Sequence, residues 1–386
     1  MRSFCELFYN PFLKGKYMEY NEQLMDEFGP EKIVVTWDHR TQTKGILVID
    51  NTARGPGKGG IRIQPDVTIE EVFHLARAMT WKNAIAEIPF GGAKAGIVGN
   101  PEKNKIDMVR AFADRIRSLV PREYIAGPDM NTGAPEMAAF ASEIGDMRAC
   151  TGKPKEIGGI PHELGSTGYG VAEATEVACK HAEIQLEGAT VAIEGFGNVG
   201  TFTMKFLSEK GAKVVAVSDS QGCIYNEKGL DYGKLLNTKW RQKSVVKYKD
   251  GRVLPKEKLF GLDVDILIPG ARPNAIHEGN MKSIKARMIV EAANIPIQPE
   301  VEFKLHSRGI LIVPDIVANA GGVISSYVEF IGGTDEDMFK LVREKIRRNV
   351  DLVLINARRD SLTPREAALA LAKERVRKAM EYRGRI

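Results

Sequence analysis

An α/β fold in two domains is what this sequence predicts, and three observations predict it. The chain has 386 residues, where one domain commonly holds about 100–200. Between residues 165 and 354, short apolar runs alternate with helical stretches, the pattern of a doubly wound sheet. At one of the strand–helix junctions stands a GxGxxG turn.

In chain order, the first region runs to about Leu164 and mixes strands with helices. Ile33–Trp37 and Gly45–Ile49 are β-branched runs and read as strands. Thr68–Ala86 reads as a helix, with Thr68 and Glu71 in capping-box spacing and apolar Val72, Leu75, Ala76 and Met79 on one face. Glycines at 91, 92 and 96 bound short loops. In the second region, Ala189–Ile193, Lys213–Val217, Asp265–Ile268, Met288–Glu291 and Ile310–Val313 have the length and continuous apolarity of buried parallel strands. The third region, from the mid-350s to Ile386, reads as helical, with Pro364 at a helix start behind Ser361 and Thr363.

Composition narrows the function. Hydrophobic residues at 43% and charged residues at 27% are those of a soluble globular protein, which sets disorder aside. A net charge of +5 over this length is a weak field, so nucleic-acid binding is not expected. The cluster Arg343–Arg348 mixes signs at helical spacing and reads as a solvated helix face. Cys5, Cys150, Cys179 and Cys223 form no CxxC pair and no metal-ligand spacing, so no metal is expected, and a reducing cytoplasm is the simplest setting. Met1–Tyr20 carries charges and has no long apolar core, so no signal peptide is expected. No run approaches the ~20 apolar residues of a membrane span.

The glycine turn carries specific chemistry. Thr190–Glu194 leads into Gly195-Phe196-Gly197-Asn198-Val199-Gly200, a helix follows to Lys210, and the next strand ends at Asp219. Gly195 permits the tight turn, Gly197 lets backbone approach a pyrophosphate, and Gly200 lets helix and strand pack closely, with Asn198 and Val199 completing the turn. The helix N-terminus then faces phosphates. Asp219 is placed to accept bonds from ribose hydroxyls. This predicts a Rossmann-type domain binding NAD or NADP. No Arg or Lys follows in Ser220-Gln221-Gly222, which leans to NAD.

In the first region, Lys58 lies in GPGKGG, Lys82 in MTWKNA and Lys94 in GGAKAG. Singly each reads as a solvated lysine, but glycines around Lys58 and Lys94 suggest close approach to something small. Lysines held together repel one another, which makes one of them usable as a base near neutral pH. Asp129, in GPDMNTG, is a candidate acid in a loop.

At these blocks, and at STGYGV, EAANIP and VANAGGVISSYVEF, the chain resembles the glutamate/leucine/phenylalanine/valine dehydrogenase family from about Gly55 to the C-terminal helices. The resemblance implies a substrate-binding and oligomerisation domain (1–164 plus 355–386), a dinucleotide-binding domain (165–354) and a cleft between them. It implies that Lys94 activates water, Asp129 moves protons on nitrogen, and Lys82 holds the substrate α-carboxylate. Thr167 and Asn294 fall near the nicotinamide, and Asn319 lies beside the substrate. Lys58 and Ser326 match the members that act on glutamate, where they hold the side-chain carboxylate; the branched-chain enzymes are apolar at both places. The expected reaction is oxidative deamination of L-glutamate to 2-oxoglutarate and ammonia, and its reverse, by a homo-oligomer, commonly a hexamer. The alternatives are a dehydrogenase of another L-amino acid and an inactive dinucleotide-binding protein. Met79, Glu163 and Gly270–Asn274 depart from the family pattern.

Overall fold

The structure, a computed structural model, describes residues 24–161 and 164–386. Cys5, the Met1–Tyr20 segment and Glu163, all singled out above, lie outside the described residues.

The first sheet is built from β1 (Lys32–Asp38), β2 (Thr43–Asn51), β3 (Gly57–Lys58), β4 (Ile61–Gln64), β5 (Gly91–Val98) and β6 (Tyr124–Ile125), with α1 (Ile69–Ile85) and α2 (Lys105–Arg115) packed on it and α3 (Ala134–Ile144) packed on α2. Its order is β1-β2-β5-β3-β6, with β4 also paired to β5. β1, β2 and β5 run antiparallel to one another, whereas β3 is parallel to both β5 and β6. Both expected strands and the expected helix are present here. Only half of the expected capping box forms: Thr68 accepts from the Glu71 backbone N–H at 3.1 Å, but the Glu71 carboxylate is drawn away to Arg62.

The second sheet follows α4 (Ser166–His181). It comprises β7 (Thr190–Glu194), β8 (Lys213–Asp219), β9 (Gly222–Tyr225), β10 (Arg252–Leu254), β11 (Ile266–Pro269), β12 (Met288–Val290) and β13 (Leu311–Val313). The order is β10-β9-β8-β7-β11-β12-β13. All five strands read from the sequence are there and run parallel; β9 and β10 extend the edge antiparallel, which the sequence reading did not anticipate. The helices between and after them are α5 (Asn198–Glu209), α6 (Tyr232–Gln242), α7 (Pro299–Ser307), α8 (Asp315–Ala318), α9 (Gly321–Phe330), α10 (Asp335–Asp360) and α11 (Pro364–Tyr382). Val191, Ile193, Ile266, Ile268 and Met288 are fully enclosed in the core, each such side chain contributing about 1.5–3 kcal/mol.

The chain order reverses beside β7: β8 lies on one side and β11 on the other, the switch point at which ligands bind in open α/β sheets. The long helix α10 runs unbroken through residues 354 and 355 and packs on α4, and α11 returns to α1. The 343–348 cluster is not merely solvated. Arg347 bonds buried Glu173 of α4 at 2.8 Å, and Arg343 bonds the Tyr169 hydroxyl at 2.7 Å, so these cations fix α10 to α4.

Candidate active site

Three neighbouring strands of the first sheet bring three of the expected site residues together. Lys94 projects from β5, Lys58 ends β3, and Asp129 sits in the loop after β6. Backbones here come very close. A Cβ at Gly60 would lie 2.7 Å from the Asp129 Cβ, and one at Gly127 only 2.4 Å from the Lys58 Nζ. These contacts explain why glycine follows Lys58 and precedes Pro128: a side chain would displace Asp129 or Lys58.

Lys94 Nζ stands 2.9 Å from Asp129 Oδ2, and Arg62 Nε donates to the same oxygen at 2.9 Å. Burial would raise the Asp129 carboxyl, but Lys94 and Arg62 overcome it and hold it below the usual carboxylate range. Burial pushes the Lys94 ammonium down, and Asp129 offsets part of that effect. Lysine–lysine repulsion, which the sequence suggested as the cause of a usable base, is therefore secondary to desolvation. Repulsion is present: Lys94 acts on both Lys58 and Lys82.

Lys58 is 4% exposed and donates to the Ala126 carbonyl at 2.7 Å. Burial pushes its ammonium down to about 8, with nearby Cys150 and Glu329 acting the other way. Glu329 is already committed. It accepts from Lys153 Nζ at 2.6 Å, from the Gly152 N–H at 2.9 Å and from the Ile160 N–H at 3.1 Å. Among the described residues Lys58 has no salt-bridge partner, so this buried pocket holds one cation in excess. The Lys153–Glu329 pair went unread in the sequence; its signal was a lysine in Thr151-Gly-Lys-Pro and a glutamate three residues after Ser326. Ser326, half-buried on α9, lies one turn before Glu329 on the same helix face.

Lys82, half-buried near the end of α1, reaches across to the second sheet. Its Nζ lies 3.3 Å from Asn294 Oδ1, which also accepts from Asn319 Nδ2 at 3.0 Å. Asn319 further donates to the carbonyls of Ala292 and Ala293, each at 3.3 Å. It thus holds the 292–294 loop, while its buried Oδ1 has no partner among the described residues. Ile295 follows at φ 46 with its N–H bonded to Asp315 Oδ2 at 2.8 Å. Asp315 is clamped in turn by Arg365 at 2.8 Å, and Arg365 also binds Glu291 and Glu302. Burial raises Glu291 well above the ordinary carboxylate range despite that cation. Thr167 is half-buried at the start of α4, against Gly321 and Gly322 of the Asn319 segment: a Cβ at Gly322 would lie 3.0 Å from its hydroxyl.

The turn after β7 opens on a cavity of about 600 Å³ lined by Gly195, Gly197, Asn198, Val199, Gly200 and Asp219, and by the cations Lys239, Lys256 and Arg272. Gly195 takes φ 94 and donates to the Ser218 hydroxyl at 3.3 Å; a Cβ at Gly200 would lie 1.9 Å from the Gly195 carbonyl. Gly197 has open space where its side chain would be. This fits a dinucleotide: close helix–strand packing behind, bare backbone in front. Asp219 is not the free acceptor the sequence suggested. Lys239 Nζ at 2.8 Å, the Val245 N–H at 2.9 Å, the Gln221 N–H at 2.9 Å and the Ser244 hydroxyl at 3.2 Å already bond its carboxylate. The cation missing from Ser220–Gly222 comes from α6.

Residues 31–146 match the family described as Glu/Leu/Phe/Val dehydrogenase, dimerisation domain, and residues 158–384 match Glutamate/Leucine/Phenylalanine/Valine dehydrogenase. A glutamate dehydrogenase of Thermotoga maritima is 42% identical over 360 residues, 88% of this chain and 86% of that one. An NADP-specific glutamate dehydrogenase of Saccharolobus shibatae is 40% identical (86% and 84% covered), and an NAD-specific one of Staphylococcus aureus is 39% identical (88% and 86% covered). The solved hetero-hexameric glutamate dehydrogenase of Thermus thermophilus superposes with a TM-score of 0.81 at 30% identity, covering 94% of this chain and 92% of that one.

Proposed function

The chain belongs to the glutamate/leucine/phenylalanine/valine dehydrogenase family, and from that premise we propose that it oxidatively deaminates L-glutamate to 2-oxoglutarate and ammonia with NAD or NADP, and runs the reverse amination. The observation that carries the choice of substrate is Lys58. A buried cation without a carboxylate partner is costly beside an aliphatic side chain but is paired beside a γ-carboxylate. Another L-amino acid of the family is the rival substrate.

Lys82 takes the α-carboxylate, and Lys58 with Ser326 takes the γ-carboxylate. The two together fix the substrate Cα in front of Lys94. A bound nicotinamide would supply the acceptor for the hydride, with its electron pair, leaving that carbon. The substrate nitrogen lone pair forms the new C=N bond, leaving an iminium. Lys94, as the free amine, takes a proton from water while the water oxygen bonds to the iminium carbon. Asp129, ionised at rest, takes that proton from Lys94, 2.9 Å away, and passes it to the nitrogen of the resulting carbinolamine. The C–N bond then breaks, ammonia leaves, and the hydroxyl passes its proton to the Lys94 amine as the carbonyl forms. Asp129 bonds Lys94 and Arg62 through Oδ2, which leaves Oδ1 for the substrate nitrogen.

Glycines 195, 197 and 200, with Asn198 and Val199, hold the pyrophosphate, and Thr167 and Asn294 flank the nicotinamide. The lean to NAD gives way to dual use. Asp219 is neutralised by Lys239, and Lys256 and Arg272 line the same cavity, so a 2′-phosphate meets cations and not a bare carboxylate. The division of labour follows residues 1–164 plus 355–386 for substrate and assembly and 165–354 for the dinucleotide, in a homohexamer. A cytoplasmic setting is supported by the free, buried thiols of Cys150, Cys179 and Cys223.

The test is a double change, Lys58→Leu with Ser326→Val. Glutamate oxidation is lost while the dinucleotide still binds. Glutamate turnover left intact overturns the assignment of the pocket.

A further inference from the structure

We infer that Arg62 is a positioning residue for the reaction: its guanidinium, anchored by Glu71, fixes the Asp129 carboxylate and sets the protonation of the Lys94–Asp129 pair. The inference rests on the reading of that pair as base and acid.

The geometry carries it. Arg62 lies on β4, the strand paired to the same β5 that bears Lys94. Its side chain is only 12% exposed. Nε donates to Asp129 Oδ2 at 2.9 Å, Nη1 binds Glu71, and Gln64 Oε1 lies 3.5 Å from the same nitrogen. A guanidinium presents its donors in a rigid plane, so anchoring one end on α1 fixes the direction of the other. Glu71 has left its usual helix-capping partner for this contact. One oxygen of Asp129 therefore receives two cationic donors, and the other stays turned to the substrate.

The groups facing the pair come from every neighbouring element. Lys58 of β3 and Lys82 of α1 act on Lys94 as like charges, and Glu71 opposes them. Tyr124 of β6 donates its hydroxyl to the Gly59 carbonyl at 3.0 Å, and burial keeps it neutral. Apart from Lys94, Arg62 is the only cation bonded to Asp129 among the described residues. A guanidinium does not titrate in the working range. When Lys94 gives up its proton, Arg62 still keeps Asp129 ionised and directed. It also repels the Lys94 ammonium, which favours the free amine.

The test compares Arg62→Gln, which keeps a hydrogen-bond donor without charge, and Arg62→Lys, which keeps the charge. The readout is carbamylation of Lys94 by cyanate, followed peptide by peptide against pH. It needs no substrate, so it separates this inference from the choice of glutamate. In Arg62→Gln the midpoint of Lys94 labelling moves to higher pH, and in Arg62→Lys it stays near that of the parent. With whichever amino acid the parent oxidises, kcat of Arg62→Gln falls about ten- to a hundredfold, the loss of one charge-assisted bond, and Arg62→Lys, which keeps the charge but not the rigid fork, recovers only part of it. An unmoved midpoint in Arg62→Gln, or the same upward shift in Arg62→Lys, overturns the inference. Should Arg62→Gln fail to fold, Arg62→Met replaces it, with the same upward shift expected and an unmoved midpoint overturning the inference.

Discussion

Lys94 Nζ and Asp129 Oδ2 lie 2.9 Å apart, one on a central strand and the other in a loop two strands away. The pair is enclosed enough that burial lowers the lysine, yet Asp129 remains 24% exposed at its side chain. That combination suits a base and an acid acting on one substrate carbon.

Asp129→Asn removes the proton carrier and keeps the shape. We expect kcat to fall about 10²–10⁴-fold, the usual share of a positioned acid–base group, with dinucleotide affinity unchanged. Steady-state kinetics with fluorescence titration of the dinucleotide checks it; a kcat within a factor of a few of the parent contradicts the role.

Lys58→Met trades function for stability. The folded ammonium sits at about 8 against an ordinary 10.5, so folding the charged group is penalised by roughly 3 kcal/mol. The sign follows: the penalty is complete below about pH 8, shrinks as pH rises toward 10.5 and is gone above it. Methionine removes it, so the variant melts higher than the parent at pH 7 and the difference closes in alkali. The KM for glutamate rises about a hundredfold, the size expected when one partner of a buried charge pair is lost. Thermal melts across pH together with KM measure both; a variant less stable at pH 7 contradicts the unpaired cation.

Ile295 takes φ 46, a conformation that strains a β-branched residue, and its side chain is 53% exposed. Ile295→Gly therefore gains stability, by about 1 kcal/mol after the entropy of glycine is counted. Ile295→Ala, which keeps a Cβ, gains less. Chemical denaturation compares them, and equal gains contradict strain at this position.

Lys239→Ala uncovers Asp219. The NADP-to-NAD ratio of kcat/KM is expected to fall about tenfold or more, since a bare carboxylate then faces the 2′-phosphate. Initial rates with both dinucleotides give the ratio, and an unchanged ratio shows that Lys239 does not neutralise the site.

The legible part of this molecule was local. The five parallel strands announced themselves as short apolar runs, and the turn at Gly195–Gly200 was readable because its glycines answer to backbone geometry within six residues. Lys58, Lys82, Lys94 and Asp129 were found by glycine-rich settings and motif blocks. What stayed hidden were partnerships at long range. Lys239 comes to Asp219 from another helix, Glu329 comes to Lys153 from α9, and Arg365 gathers three acids from three segments. Arg62 has no role legible in the sequence, because only the fold shows that Glu71 abandons its cap to hold it. The cause assigned to the lowered lysines was also wrong in emphasis: a sequence shows charges but not burial, and burial is the larger effect.

The central claim is that this pocket turns over an amino acid with a second carboxylate. The direct measurement is the rate of NADH and NADPH formation at 340 nm from a panel of L-amino acids that includes glutamate, leucine, valine, phenylalanine and tryptophan. Glutamate is expected to exceed every apolar substrate in kcat/KM by at least about a hundredfold, the discrimination that a paired buried charge supports. Absence of activity with glutamate on either dinucleotide, or faster turnover of leucine, would contradict it.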